Sequence, residues 1–307
     1  MKVINGLFLM NMKKHYRTCS LCEAMCGLVI EHEGDVVRSI KVDPNDVFSK
    51  GHICPKAVAL QDIHNDPDRL REPLRRTLTG WETVDWETAL DEVGAKLKAT
   101  QSKYGADSVA TYLGNPNAHH YDTLIFVDPL LKAIASKNRY SVLSTDYLPH
   151  GLACSLLFGN QIFFPVPDID HTDFFLCMGA NPVVSGGSLM SAPGMAKRIK
   201  ALQQRGGQLV VIDPRRSETA QLADKHLFIR PAGDVWLLLG LIKVLFNEGL
   251  VTCASFIKGL DEFKQAVEPF SLEQAAQHSG ISKDDIESLA RSFSAAKSAI
   301  AYGRMGT

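Results

Sequence analysis

Short unbroken apolar runs alternate along most of the chain with longer segments whose apolar residues recur every three or four positions. The stretches "TDFFLCMGAN", "GQLVVIDP", "KHLFIRP" and "SAIAYGRMG" are apolar through their middles and read as buried strands, with "DSVATYLGN" and "YSVLS" as shorter ones. Between them, "YDTLIFVDPLLKAIAS", "GLACSLLFG", "APGMAKRIKALQQRG", "DVWLLLGLIKVLFNEG" and "KDDIESLARSFSAAK" carry a helical period. Strands without polar alternation are covered on both faces, and strands that alternate with helices pair in parallel. The pattern therefore predicts an α/β fold on a parallel, Rossmann-like sheet. Ligands of such sheets sit beyond the carboxyl ends of the strands, so the glycine- and aspartate-bearing strand ends are where function is expected.

The amino-terminal part follows a different rule. "GLVIEHEG" and "DVVRSIKV" read as short strands meeting at Glu33, Gly34 and Asp35, which predicts a β-hairpin. A proline-punctuated connector follows. It ends at Asp85, a predicted N-cap with Thr88 at the third helical position, and Ala89, Val93, Leu97 and Tyr104 give the next helix its period. These shifts set the expected boundaries: a small β-rich part over 1–73, the first part of an α/β region over 74–141, and a further α/β domain over 142–307.

With 307 residues, 45% of them hydrophobic, the chain is long enough for two or three domains. A net charge of −1 gives no electrostatic pull toward nucleic acid or an anionic membrane. The longest apolar run, near 237–246, is too short to span a bilayer. At the start, the charges follow the apolar patch at 6–10 rather than precede it, and no small-residue cleavage site is visible, so a cytoplasmic protein is expected. Seven cysteines in such a chain argue for metal ligation or buried thiols over disulfides.

Three of those cysteines, Cys19, Cys22 and Cys26, fall within "RTCSLCEAMCGL". The next, Cys54, comes after a gap of 27 residues and is carried back by the hairpin. Four thiolates suit a zinc ion or an iron–sulfur cluster. A structural zinc site usually uses two C-x2-C pairs. Here one loop brings three ligands and a distant segment the fourth, which favours a cube-shaped [4Fe-4S] cluster; zinc and unligated thiols stay open on spacing alone. Cys177 and Cys154 read as packed residues of a strand and a helix, and Cys253 as a loop residue.

The segments "CSLCEAMC…GHICPKA", "DIDHTDFFLCMGANP", "LVVIDPRRSETAQLAD", "IRPAGD" and "YGRMGT", in this order, resemble the molybdopterin oxidoreductases of the dimethyl sulfoxide reductase superfamily, in the branch with an amino-terminal [4Fe-4S] cluster. The similarity runs from about residue 16 to the end. It implies a [4Fe-4S] domain followed by Rossmann-like α/β domains, and a molybdenum or tungsten atom between two pterin-guanine dinucleotides. Lys56 would lie between cluster and pterin on the electron path; on its own it reads as a surface lysine. The turn with Gly179 and Asn181 would hold a dinucleotide. Asp213 would accept from ribose or guanine, with Arg215 and Ser217 reaching phosphate, although such an aspartate also serves as a helix cap. Gly233 and Asp234 would meet the guanine edge, with an N-cap role for Asp234 as the alternative. Asn115 is a further pterin-contact candidate.

The same resemblance bears on the metal. Family members often supply a Ser, Cys, selenocysteine or Asp ligand ahead of a helix that ends in glycine. Gly159 serves as that landmark, and thirteen positions earlier stands Asp146, whereas Cys154 falls further on, toward the core. Asp146 is therefore the expected metal ligand, with an ordinary N-cap role as its alternative, and a hard carboxylate favours oxo-type chemistry. His150 is the candidate for proton transfer. The implied partners are a small-molecule substrate and an external electron donor or acceptor protein. Members run to roughly twice this length or more, so carboxyl-terminal domains that complete the pterin sites are expected beyond it. Two further readings are an electron-transfer subunit like the large iron–sulfur subunit of NADH dehydrogenases, and a zinc-stapled nucleotide-binding or interaction module.

Overall fold

The computed structural model describes residues 12–304 and 307, and the chain divides into two compact units that meet between Pro149 and His150. The first unit opens on an antiparallel sheet of β1 (Lys13–Thr18), β2 (Gly27–Glu33) and β3 (Val36–Val42), in that order. The β2–β3 hairpin is the predicted one, and Gly34 takes the positive φ of 57° that its turn requires. β1 is an addition. Its residues, "KKHYRT", are all exposed, so no apolar alternation marks them, and the strand exists because β2 offers an edge to pair with.

After Cys54 come two short helices, α1 (Pro55–Val58) and α2 (Leu60–Asn65). Pro55 starts α1, where a missing N–H costs nothing. α2 is fastened along β3: Gln61 Nε2 donates to the Arg38 carbonyl at 3.0 Å and Asn65 Nδ2 to that of Val37 at 2.7 Å. A small core of Leu28, Ile40 and Ala57 forms between sheet and helices, and Cys19 and Cys26 are buried within it.

The connector contains a short hairpin, β4 (Leu74–Arg76) with β5 (Trp81–Thr83), before α3 (Trp86–Tyr104). Asp85 caps α3 as predicted, accepting from Thr88 N at 2.8 Å. β6 (Thr111–Leu113) and β7 (Arg139–Ser141) pair in parallel through α4 (Tyr121–Ile134). The strand expected over "YSVLS" stops at Ser141. The Ser141 hydroxyl accepts from Leu143 N at 3.3 Å and turns the chain into α5 (Leu143–Asp146).

α6 (Leu148–Phe158) crosses into the second unit and ends at Gly159, whose φ is 74°. The rest of that unit is the parallel α/β domain. Four strands, β8 (Phe174–Met178), β9 (Gln208–Ile212), β10 (Lys225–Leu227) and β11 (Ala299–Gly303), run parallel in the order β10-β9-β8-β11. α7 (Met195–Gln204) connects β8 to β9. α8 (Asp234–Asn247), α9 (Leu260–Val267), α10 (Leu272–Ser279) and α11 (Lys283–Ala295) lead from β10 to β11.

Strand parity divides this core in two. Phe174, Leu176, Met178, Val210 and Ile212 pack with α8, α10 and α11. Phe175, Cys177, Leu209 and Val211 pack with Met195, Ile199 and Leu202 of α7. Gly240 stands where α10 presses on α8: a β-carbon there would lie 2.8 Å from Ala275 Cβ. Among the described residues, no helix is long and apolar enough to cross a membrane.

Candidate functional site

The four cysteines of the first unit converge. The loop between β1 and β2 closes through Cys19 N to the Cys26 carbonyl at 2.8 Å, and Met25 takes a left-handed φ of 44° to bring Cys26 round. Cys19 and Cys26 are buried, while Cys22 and Cys54 are half-buried. Burial pushes the Cys26 thiol up to about 11, and the neighbouring sulfurs of Cys19, Cys22 and Cys54 add to the shift. Burial also raises Cys19 and Cys22. Backbone N–H groups of Leu21 and Ala24, and the cation of Lys56, act in the opposite direction.

This donor set fits an iron–sulfur cluster. Mutually repelling thiolates become stable together once iron replaces their protons. Among the described residues, no three His, Cys, Asp or Glu side chains stand close enough to hold a single metal ion.

Sequence reasoning missed what braces this pocket. A β-carbon on Gly27, next to Cys26, would lie 2.5 Å from Asp46 Cβ. Asp46 accepts from the Ser49 N–H and hydroxyl, both at 2.6 Å, and the Ser49 hydroxyl accepts from Gly27 N at 3.3 Å. Those hydrogen bonds, the Ser49 hydroxyl first, hold the Asp46 carboxyl below the usual carboxylate range. The readable signal was Asp46-x-x-Ser49, a turn-forming pair.

The second constellation lies at the carboxyl end of the four-stranded sheet. From β8 the chain proceeds to β9 on one side, while β11 lies on the other, so Gly179 stands at the topological switch point. Gly179 has a φ of 53° and donates to the Ile212 carbonyl at 3.0 Å. The Asn181 side-chain Oδ1 accepts from Thr219 N at 3.1 Å and the Thr219 hydroxyl at 2.7 Å, which fixes Nδ2 toward Glu218 Oε2 at 2.6 Å. Arg215 also reaches Glu218 Oε2, at 3.2 Å. Asp213 accepts from Arg215 N at 2.7 Å, within its own turn rather than at a helix start.

Asp234 opens α8, with Gly233 as its N-cap residue and no side-chain capping bond, so the capping alternative does not apply. Burial pushes the Asp234 carboxyl up, and the charge of Asp213 adds to the shift. The two carboxylates therefore share one field. The turn before Asp234 rests on the end of α10: Arg230 N donates to the Ser279 carbonyl at 2.8 Å, and a β-carbon on Gly233 would lie 2.8 Å from Ser279 Cα. Ser217 departs from expectation. It is 1% exposed and its hydroxyl accepts from Ala220 N at 3.2 Å, so it shapes the turn instead of facing a phosphate.

The remaining candidates lie on other elements. Asp146 is half-buried at the end of α5, its N–H on the Val142 carbonyl at 3.2 Å. His150 belongs to the other compact unit and packs its ring 5.1 Å from that of Phe164. Cys154 is 2% exposed inside α6, as expected of a packed residue. Asn115 begins a short turn over Asn115–His119, and its side chain lies outside the described residues, as do Met305 and Gly306 of the last motif.

Residues 12–66 match the molybdopterin oxidoreductase Fe4S4 domain, and residues 69–304 match the molybdopterin oxidoreductase family. Formate dehydrogenase H of Escherichia coli is 28% identical over 96% of this chain and 42% of its own length. A nitrate reductase of Symbiobacterium thermophilum is 30% identical over 91% of this chain and 38% of its own length. The solved structure of acetylene hydratase from Pelobacter acetylenicus superposes with a TM-score of 0.75 at 25% identity, covering 95% of this chain and 40% of that one. The chain thus spans about two-fifths of the length of these relatives.

Proposed function

The chain belongs to the molybdopterin oxidoreductase family and carries that family's Fe4S4 domain, and we propose that it serves a molybdenum or tungsten bis-pterin-guanine-dinucleotide enzyme that wires a two-electron reaction to a [4Fe-4S] cluster. The observation that carries this reading is that Asp213, after β9, and Asp234, after β10, both stand at the carboxyl edge of the parallel sheet, near enough for the charge of one to raise the other. A relay or a zinc-stapled module has no need of such an edge, whereas a guanine presents N1–H and N2–H donors that carboxylates accept.

The metal–pterin group, when bound, supplies the two-electron chemistry, and the cluster passes electrons singly. The protein's own residues bind, orient and balance charge. Cys19, Cys22, Cys26 and Cys54 hold the cluster, and the cation of Lys56 offsets its negative charge. Gly179 lets the backbone approach the dinucleotide, Asn181 and Arg215 supply donors, and Asp213 and Asp234 read the guanine. Asp146 is the proposed protein ligand to the metal and His150 the proposed proton carrier. α4 exposes Leu124, Ile125, Phe126 and Leu130, and further polypeptide of the kind the longer relatives carry would cover them.

Metal, acid-labile sulfide and pterin analysis of anaerobically purified protein, joined to any carboxyl-terminal domains it has, tests the reading. The expected result is four irons with matching sulfide, plus molybdenum or tungsten with pterin. Iron and sulfide without either metal or pterin would leave only an electron relay. One zinc per chain without sulfide would establish the zinc-stapled module.

A further inference from the structure

Two donors suited to an anion converge on one exposed carboxylate of the same chain at the sheet's carboxyl edge. Asn181 Nδ2 lies 2.6 Å from Glu218 Oε2, and Arg215 Nη2 lies 3.2 Å from the same oxygen. They come from different turns, after β8 and after β9. Asn181 has no freedom to turn away, because buried Thr219 gives its side-chain Oδ1 two hydrogen bonds. Arg215 is fixed less firmly, with a side chain 64% exposed. Besides the donors, the Glu218 carboxylate is held by its own backbone N–H.

We propose that Glu218 occupies the anion place of this edge as a stand-in, competing for Asn181 and Arg215 until a diphosphate-bearing ligand displaces it. A phosphate oxygen takes the same two donors with the same charge sign. Thr219 keeps Asn181 in place through the exchange, while Arg215 changes partner and the freed Glu218 side chain swings to solvent. Binding of the phosphate therefore works against an existing ion pair, and binding of a nucleoside without phosphate does not. The inference rests on the nucleotide reading of this edge.

The test is calorimetric titration of the full chain with GDP and with guanosine, comparing the native protein with Glu218→Gln and Glu218→Ala. Gln keeps an acceptor for Asn181 but removes the charge. Both variants should bind GDP about two- to fivefold more tightly, the scale of one exposed ion pair, with guanosine unchanged and melting temperatures close to native. Glu218→Asp should return GDP affinity toward the native value. GDP affinity that is unchanged, or weakened in the Ala variant alone, would overturn the proposal and leave the nucleotide reading standing. Absence of GDP binding in all forms would overturn both.

Discussion

Asp46 fills the space that a side chain on Gly27 would need: a β-carbon there would lie 2.5 Å from Asp46 Cβ and 2.7 Å from Cγ. Hydrogen bonds from Ser49 hold Asp46 there, so the carboxylate has little room to retreat. Gly27→Ala should therefore cost about 1–3 kcal/mol, the scale of overpacking, and the strain falls on the residue after Cys26. Urea unfolding reads the stability, and iron and sulfide per chain read cluster retention. Native values of both would mean that the loop tolerates a side chain.

The Asp46 carboxyl also sets a pH dependence. Its folded pKa lies below the unfolded value, about 3.9. The stabilisation is present above the unfolded value and is lost as pH falls through the folded one. Comparing the native protein with Asp46→Asn in urea, the gap between midpoints should be widest near neutrality and should close below about pH 4. A gap that stays constant from neutral to acid pH would refute a role for the charge.

Thr219 is fully buried and joins two turns through Asn181 and the Val183 N–H. Thr219→Val keeps the shape and strips away the hydroxyl. It should destabilise the second unit by about 1–3 kcal/mol, the cost of buried polar groups left unpaired, with Asn181 loosened. Denaturant unfolding checks the energy. Slower exchange of the Asn181 side-chain amide in the variant than in the native protein would contradict the arrangement.

Asp146 and Cys154 are rival ligands to the proposed metal. Cys154 is 2% exposed within α6, so it should not reach the metal. X-ray absorption at the metal edge of the loaded enzyme should change for Asp146→Ala and not for Cys154→Ala. The reverse pattern would move the metal to the cysteine side.

The parallel sheet was legible because β8 and β9 are apolar at nearly every position, and the grouping of the four cysteines because they are rare residues at fixed separations. β1 was invisible: six exposed residues carry no apolar period, and only the edge of β2 makes them a strand. α10 had a readable start that was overlooked, the capping box of Ser271 and Gln274. The links from Asn181 to Thr219 and Glu218 join residues more than 35 positions apart, and no local pattern reports such a contact. Ser217 shows the opposite failure. A hydroxyl in a phosphate-like motif was read as facing outward, and the buried turn claims it.

The parity of β8 limits how this sequence is free to drift. Phe175 and Cys177 serve one core, Phe174, Leu176 and Met178 the other. Inserting or deleting a single residue between positions 174 and 178 would exchange the two sets and pull Gly179 off Ile212. Substitutions there can be absorbed one at a time, but changes of length cannot. Lineages of this domain are thus expected to gain and lose residues in the stretches between strands while the five-residue spine keeps its count.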